Sequence, residues 1–258
     1  MREICLPDFQ IAPEYMRGMT MVSGVYWSVG NRTVNEDTVA LESVHTDRGK
    51  CTLIVVCDGI GSLSNGEIVS GYVTECLIRW FYTVGVRMYA SPIKKIKRSL
   101  CKCIYDCHME LKETARRCGI EWGTTCTCIC ILGRRYVCMH LGDSAAYRLD
   151  GMHGRRARGR IRRITRAHVN AGGELVRCVG SRRYCEPEIN GGILLRGSGL
   201  LAASDGFAAC FSGQELMESL QMGDEITQER LERRLAAMGN EAAARGCTDN
   251  RSAVCVLL

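Results

Sequence analysis

Four aspartates stand where apolar runs begin or end. Leu53-Ile54-Val55-Val56-Cys57 runs into Asp58-Gly59, and Leu200-Leu201-Ala202-Ala203-Ser204 runs into Asp205-Gly206. Asn35-Glu36-Asp37 opens onto Thr38-Val39-Ala40-Leu41, and Thr248-Asp249-Asn250 precedes the apolar residues 253–258. An apolar, β-branched run closed by a glycine turn reads as a buried strand that delivers a side chain at its exit. Any one of these aspartates could be an ordinary turn residue, because Asp-Gly is a common turn pair. Four of them at strand ends suggest an acidic cluster at one rim of a sheet. Carboxylates brought together without enough basic partners repel, and their pKa values rise. Divalent cations resolve that conflict. A donor set of carboxylates, backbone carbonyls and water suits Mg²⁺ or Mn²⁺, not zinc or copper. Two such ions a few ångströms apart can hold a shared hydroxide and polarise a phosphoryl oxygen. Arg32, just ahead of Glu36 and Asp37, is a natural clamp for the remaining phosphate oxygens.

The elements that must position these residues can be read along the chain. Strands are expected at 24–29, 38–41 and 51–57, the last buried throughout. Val69, Val73, Cys76, Trp80 and Val84 recur at three- and four-residue steps, which predicts a helix with one apolar face. A second helix has Ser91 as N-cap, Pro92 in its first position and Gly119 as its stop. Its buried face would carry Ile96, Leu100, Cys103, Cys107 and Leu111. Residues 124–132, 136–141 and 145–149 read as three short strands of an antiparallel meander, and strands resume near 192–195 and 199–203. Ser212-Gly213-Gln214-Glu215 is a capping box that opens a helix. Another helix spans 227–245, with Leu231, Leu235 and Met238 on one side, and the chain closes on a strand at 252–258. This order predicts an α+β fold, a four-layer α/β/β/α sandwich with two central antiparallel sheets flanked by helices. A single domain is expected over 1–258, with residues 1–20 as a sparsely patterned lead-in.

Composition narrows the class. The 258 residues are 46% hydrophobic and 24% charged, with a formal charge of +6, as in an ordinary soluble protein. That charge permits an anionic partner without demanding one. No run is long enough to span a membrane or reads as a signal peptide, so a cytoplasmic setting is expected. Seventeen cysteines, an odd number, suit reduced thiols used as small core residues better than a disulfide framework. Cys101, Cys103, Cys107 and His108 fall within a helical repeat, and Cys126, Cys128 and Cys130 alternate along one strand face. With no CxxC pair, core packing is preferred over a zinc site. The basic run 155–163 lacks interleaved aromatics, so it reads as a solvated hairpin tip and not as a nucleic-acid contact.

The motifs Arg32-Thr33-Val34-Asn35-Glu36-Asp37, Val56-Cys57-Asp58-Gly59-Ile60-Gly61, Gly66-Glu67, Gly123-Thr124-Thr125, Leu141-Gly142-Asp143-Ser144-Ala145-Ala146-Tyr147-Arg148, Ser204-Asp205-Gly206 and Asp249-Asn250 occur in this order. Together they resemble the metal-dependent, type-2C protein Ser/Thr phosphatases in their compact bacterial form, over about residues 24–258. The resemblance implies that Asp58 bridges two metals, with the Gly59 carbonyl on one of them. It implies that Asp37 serves the second metal directly or through water, with Glu36 beside it, while Asp205 and Asp249 hold the first. Asp143 matches a position that helps bind a third, weaker metal, and Arg32 matches the phosphate-binding arginine. The cofactors would be two Mn²⁺ or Mg²⁺ ions, with a third in some states. The implied reaction is in-line attack of a metal-bridging hydroxide on phosphoserine or phosphothreonine. It needs no phosphoenzyme and no nucleophilic cysteine. The implied partners are phosphorylated proteins and a cognate Ser/Thr kinase, with no membrane or nucleic acid, and the chain is expected to be a monomer.

Departures from the family pattern bear on activity. Ile60 stands where some members carry a histidine proposed as the acid for the leaving oxygen. Ser62 replaces a glycine and Ala145 an arginine. The segment 168–187, where the family has a mobile flap, is short and basic, which bears on substrate preference. The rival reading is a pseudophosphatase that binds phosphoproteins without hydrolysing them, and retention of every acidic position argues against it. The basic run 155–163 would then steer acidic phosphopeptides toward the site.

Overall fold

The computed structural model describes residues 21–60, 65–152, 159–180, 183–222 and 225–258. Two five-stranded sheets, antiparallel throughout, lie face to face. One contains β1 (Val22–Ser28), β7 (Ala145–Asp150), β8 (Arg160–Arg163), β11 (Gly199–Ala203) and β12 (Arg251–Leu257), in the order β1-β12-β11-β7-β8. The other contains β2 (Asp37–Thr46), β3 (Gly49–Asp58), β5 (Cys126–Leu132), β6 (Arg135–Leu141) and β10 (Glu188–Ile193), in the order β10-β6-β5-β3-β2. A short β4 (Gly123–Thr124) pairs with β9 (Val179–Gly180). Helices α1 (Gly66–Trp80) and α2 (Ile93–Cys118) pack on the β3 sheet, and α3 (Asp205–Ala208), α4 (Gly213–Leu220) and α5 (Gln228–Ala244) pack on the β12 sheet. This is the four-layer α/β/β/α sandwich expected from the order of elements.

Strand β3 shows why its sequence is apolar without alternation. Leu53, Val55 and Cys57 enter the layer under α1 and α2, while Ile54 and Val56 enter the layer between the sheets. A strand covered on both faces has no polar side to show. Each such side chain contributes about 1.5–3 kcal/mol on burial. Cys126, Cys128 and Cys130 point together into the helix-side layer, as small core residues do.

Three local expectations are corrected. Strands β5 and β6 pair as predicted, but β7 leaves that sheet and joins β11 and β8 in the other. The Gly142-Asp143-Ser144 turn is therefore a crossing between sheets, not a meander turn. Pro92, extended at ψ 143°, is itself the residue before the first turn of α2, and no side chain caps that end, so Ser91 lies one position outside. Finally, α1 gives way to a π turn (Phe81–Gly85) and a 3₁₀ turn (Val86–Met88). The wider π turn rotates the apolar face, so Phe81 is buried and Val84 exposed. The capping box at Ser212 forms, with Glu215 N–H donating to the Ser212 hydroxyl and the Ser212 N–H to the Glu215 carboxylate. Of the basic run, Arg160–Arg163 forms the exposed edge strand β8. Residues 155–158, the lead-in 1–20, Gly61, Ser62 and Arg182 lie outside the described residues.

Candidate active site

Asp58 ends β3 and stands in register opposite Asp37, the first residue of β2. Its backbone is fixed on both sides. The Asp58 N–H donates to Thr125 Oγ1 (3.0 Å), and its carbonyl accepts from the Thr125 N–H (2.8 Å) and Thr124 Oγ1 (2.9 Å). The next residue must be glycine, because a Cβ on Gly59 would lie 2.5 Å from the Gly66 carbonyl carbon. That close approach brings the start of α1 against the strand exit. Gly59 N–H donates to the Glu36 carbonyl (3.1 Å), and Ser70 Oγ on α1 donates to the same oxygen (2.7 Å).

The other half of the site comes from the opposite sheet. Asp205 opens α3 at the end of β11, and Asp249 lies just before β12. A Cβ on Gly206 would lie 2.1 Å from the Asn250 carbonyl oxygen, so these two segments touch backbone to backbone. Asp143 sits in the crossing between the sheets. Gly142 before it has φ +118°, and a Cβ there would lie 2.5 Å from that of Thr125. Arg163 donates to the Asp143 carbonyl (3.2 Å).

A cleft of about 160 Å³ collects these groups: Asp58, Gly59, Asp143, Asp205 and Asp249, with Glu36 and Arg32 at its sides. Arg32 is exposed and donates to Asp249 Oδ2 at 3.0 Å. Asp37 is placed differently. It lies beneath the cleft, only 2% exposed, with Oδ2 accepting from Ser252 Oγ at 2.6 Å. Its Oδ1 is buried with no hydrogen-bond partner.

The electrostatics follow from this crowding. Burial, then the charges of Asp37 and Asp205, hold the Asp58 carboxyl well above the usual carboxylate range. Burial pushes Asp37 up to about 6. Burial raises Glu36, with Glu67 adding to it, and burial raises Asp143, with Asp205 adding to it. Buried carboxylates that push one another's pKa upward are the donor set a hard dication would favour, and the unpartnered Asp37 Oδ1 fits the same ligand. Among the described residues no three His, Cys, Asp or Glu side chains stand close enough together to hold a metal ion as they are placed. The site is an acid-lined open cleft, a form suited to ions that keep part of their hydration shell.

Two residues had no role assigned from the sequence. Thr125 positions Asp58 and also contacts Ser144 Oγ (2.8 Å). Asn250, 5% exposed, accepts from the Glu36 N–H (2.9 Å) and donates to the carbonyls of Val29 (2.8 Å) and Val34 (3.1 Å). It ties the Arg32 loop to the start of β12. Asn250 stood in the sequence as part of the Asp249-Asn250 motif, a polar amide at the mouth of an otherwise apolar strand, with no role attached. Leu175 also reaches the cleft, from the segment 168–187, and Ile60 lines it.

Paired antiparallel sheets gather these carboxylates at their common rim with Arg32 ion-paired among them, a donor set that suits hard divalent ions. The sequence profile described as "Protein phosphatase 2C" matches residues 28–245, and the chain belongs to that family. Its fold is similar to that of the serine/threonine phosphatase Stp1 from Staphylococcus aureus (21% identity, 98% of this chain and 99% of that one, TM-score 0.78). It is also similar to PppA, a regulatory component of T6SS in Pseudomonas aeruginosa (24% identity, 93% and 98%, TM-score 0.74). A third similar structure is the catalytic domain of the serine/threonine protein phosphatase PstP in complex with two manganese ions (22% identity, 92% and 97%, TM-score 0.71). No curated protein matches the chain by sequence.

Proposed function

We propose that this chain hydrolyses phosphoserine and phosphothreonine in proteins, using two divalent ions, Mn²⁺ or Mg²⁺, held in the carboxylate cleft. The observation that carries this reading is the meeting of Asp58, Asp143, Asp205, Asp249 and Glu36, distant in sequence, in one cleft with Arg32 beside it. Bound ions would neutralise phosphoryl charge and ready a water for attack. Asp58, between the two halves, would be the shared ligand, with the Gly59 carbonyl on one of the ions and Asp205 and Asp249 on one side. Asp37 would serve the second ion from below, directly or through water, with Glu36 beside it, and Asp143 would help hold a third, weaker ion. Manganese binding by a protein of similar fold supports Mn²⁺ as the first ion to try.

Arg32 would exchange its contact with Asp249 for the phosphate, presenting two parallel N–H groups to its oxygens. Ile60 has no proton to give, so protonation of the leaving oxygen falls to water. Leu175 places an apolar surface beside the phosphoryl pocket, where it would read the residue next to the phosphorylated one. In this reading the substrates are phosphoproteins made by a cognate kinase, and the chain works as a monomer in the cytoplasm. Free thiols at every described cysteine support that compartment, and no described helix is long and apolar enough to cross a membrane.

The test is Mn²⁺-dependent release of phosphate from a phosphothreonine peptide. Turnover that vanishes with EDTA and returns with Mn²⁺ is expected. Folded protein that binds the peptide but turns over with no divalent ion would replace this reading with a phosphoprotein-binding module.

A further inference from the structure

We infer that the seam between α1 and α2 is a modification site, where Cys76 and Cys107 form a reversible disulfide on meeting a peroxide. This stands apart from the phosphatase reading, since neither thiol lies in the cleft.

The register of the two helices places the thiols. Trp80 Nε1 donates to Ser99 Oγ (2.9 Å), and eight residues back along α1 the Tyr72 hydroxyl meets the Glu110 carboxylate. The helices therefore run antiparallel. Midway between those two contacts, Cys76 faces the part of α2 that carries Cys103 and Cys107, one helical turn apart. Cys103 Sγ lies 3.8 Å from the Cys76 carbonyl oxygen. The Cys107 side chain sits against both Cys103 and Cys76. Three sulfurs thus meet at one level of the seam, and the contacts on either side hold that level in place.

The chemistry is asymmetric. The Cys107 contact favours the thiolate at Cys76, helped by the Arg79 guanidinium, and holds its pKa below that of an ordinary thiol against the effect of burial. Contacts with Cys103 and Cys76, then burial, raise Cys107. Cys76 is half-buried and Cys107 is buried. A thiolate open to solvent beside a protonated neighbour is an attacking and resolving pair. Cys76 S⁻ would attack one peroxide oxygen, giving a sulfenic acid and, after taking up a proton, water. The Cys107 sulfur would then displace the sulfenic hydroxyl, losing its own proton and releasing a second water. Two thiols and one hydrogen peroxide become one disulfide and two waters, and a dithiol such as dithiothreitol reverses it.

The experiment is stoichiometric hydrogen peroxide on the full chain in EDTA, followed by alkylation, thiol counting and peptide mapping. Two of the seventeen thiols should be lost and a peptide linking Cys76 to Cys107 recovered, with full return under dithiothreitol. Exposed Cys118, at the end of α2, should remain free as an internal comparator. Cys76→Ser should keep its remaining thiols under the same dose. Three results would overturn the proposal: oxidation of Cys118 ahead of Cys76, Cys76 carried to sulfinic acid with Cys107 free, or a crosslink at Cys210–Cys247 in place of this one. That second pair shares the Gly206 carbonyl (3.4 and 3.0 Å), but burial and then Cys247 itself raise the Cys210 pKa.

Discussion

Asn250→Ala removes one side chain and strands three backbone groups. The Glu36 N–H loses its acceptor, and the Val29 and Val34 carbonyls lose their donor. Asn250 is 5% exposed, so water replaces these bonds poorly. At about 1 kcal/mol for each bond left unmade, the loss is on the order of 3 kcal/mol. For a chain of this size that lowers the melting temperature by roughly 6–12 °C. Activity should suffer separately, because Asn250 anchors both ends of the loop that carries Arg32. A loop no longer held to β12 cannot keep the guanidinium aimed at the phosphate, so kcat/KM should fall by roughly 10–100-fold even at temperatures where the fold is intact. Asn250→Asp keeps the acceptor for Glu36 but sets a buried carboxylate oxygen against the Val29 and Val34 carbonyls, so it should be at least as destabilising as alanine. Urea denaturation in EDTA and phosphothreonine-peptide kinetics at saturating Mn²⁺ read the two effects. A stability loss under about 0.5 kcal/mol, or unchanged kcat/KM, would show that Asn250 does not hold the loop.

Asp58→Asn should abolish turnover, a loss on the order of 1,000-fold or more. In EDTA it should leave the protein as stable or stabler, since one buried charge among Asp37, Asp205 and Asp143 is gone; a large drop in metal-free melting temperature would contradict this account of the crowding. Arg32→Lys should behave much like Arg32→Ala in kcat/KM, each roughly 100-fold down, because an ammonium cannot reproduce the planar fork, and rescue by lysine would refute a two-pronged clamp. His140 gives a pH prediction. Burial holds it down at about 4, against ~6.5 unfolded, so between those values the unfolded chain binds the extra proton. Stability should therefore fall as pH drops from about 6.5 to about 4, by on the order of 2–3 kcal/mol. His140→Gln, measured in EDTA, should flatten that slope, and an unchanged slope would assign it to other groups.

How much could be read in the sequence depended on whether the cause was local. Strand β3 announced itself because burial on both faces leaves only apolar residues, but the need for glycine after Asp58 lay in the approach of the Gly66 backbone, which the sequence alone does not show. Helix α2 showed its apolar stripe and its left-handed stop at Gly119 (φ +66°). Its start misled, because Pro92 fits either the first turn or the residue before it. The switch of β7 to the other sheet was hidden, since Gly-Asp-Ser suits a hairpin and a sheet crossing equally well. Asp37 looked like its acidic companions, and only the Ser252 hydroxyl from the far sheet shows that it sits under the floor. The work of Asn250 lay in three bonds to residues more than 200 positions away, which no local pattern records.

Because Asp37 and Asp58 ride on one sheet and Asp205 and Asp249 on the other, the gap between the two carboxylate sets is a matter of layer thickness. Ala146 and Ala202 share the inter-sheet layer with Ile54 and Ile129, and their small size lets the sheets close up. If the cleft holds ions as proposed, those alanines would set the ionic radius that it accepts. A bulkier residue at either, far from any ligand, would open the jaws toward Ca²⁺, whose oxygen distances of about 2.3–2.6 Å exceed the roughly 2.0–2.1 Å of Mg²⁺.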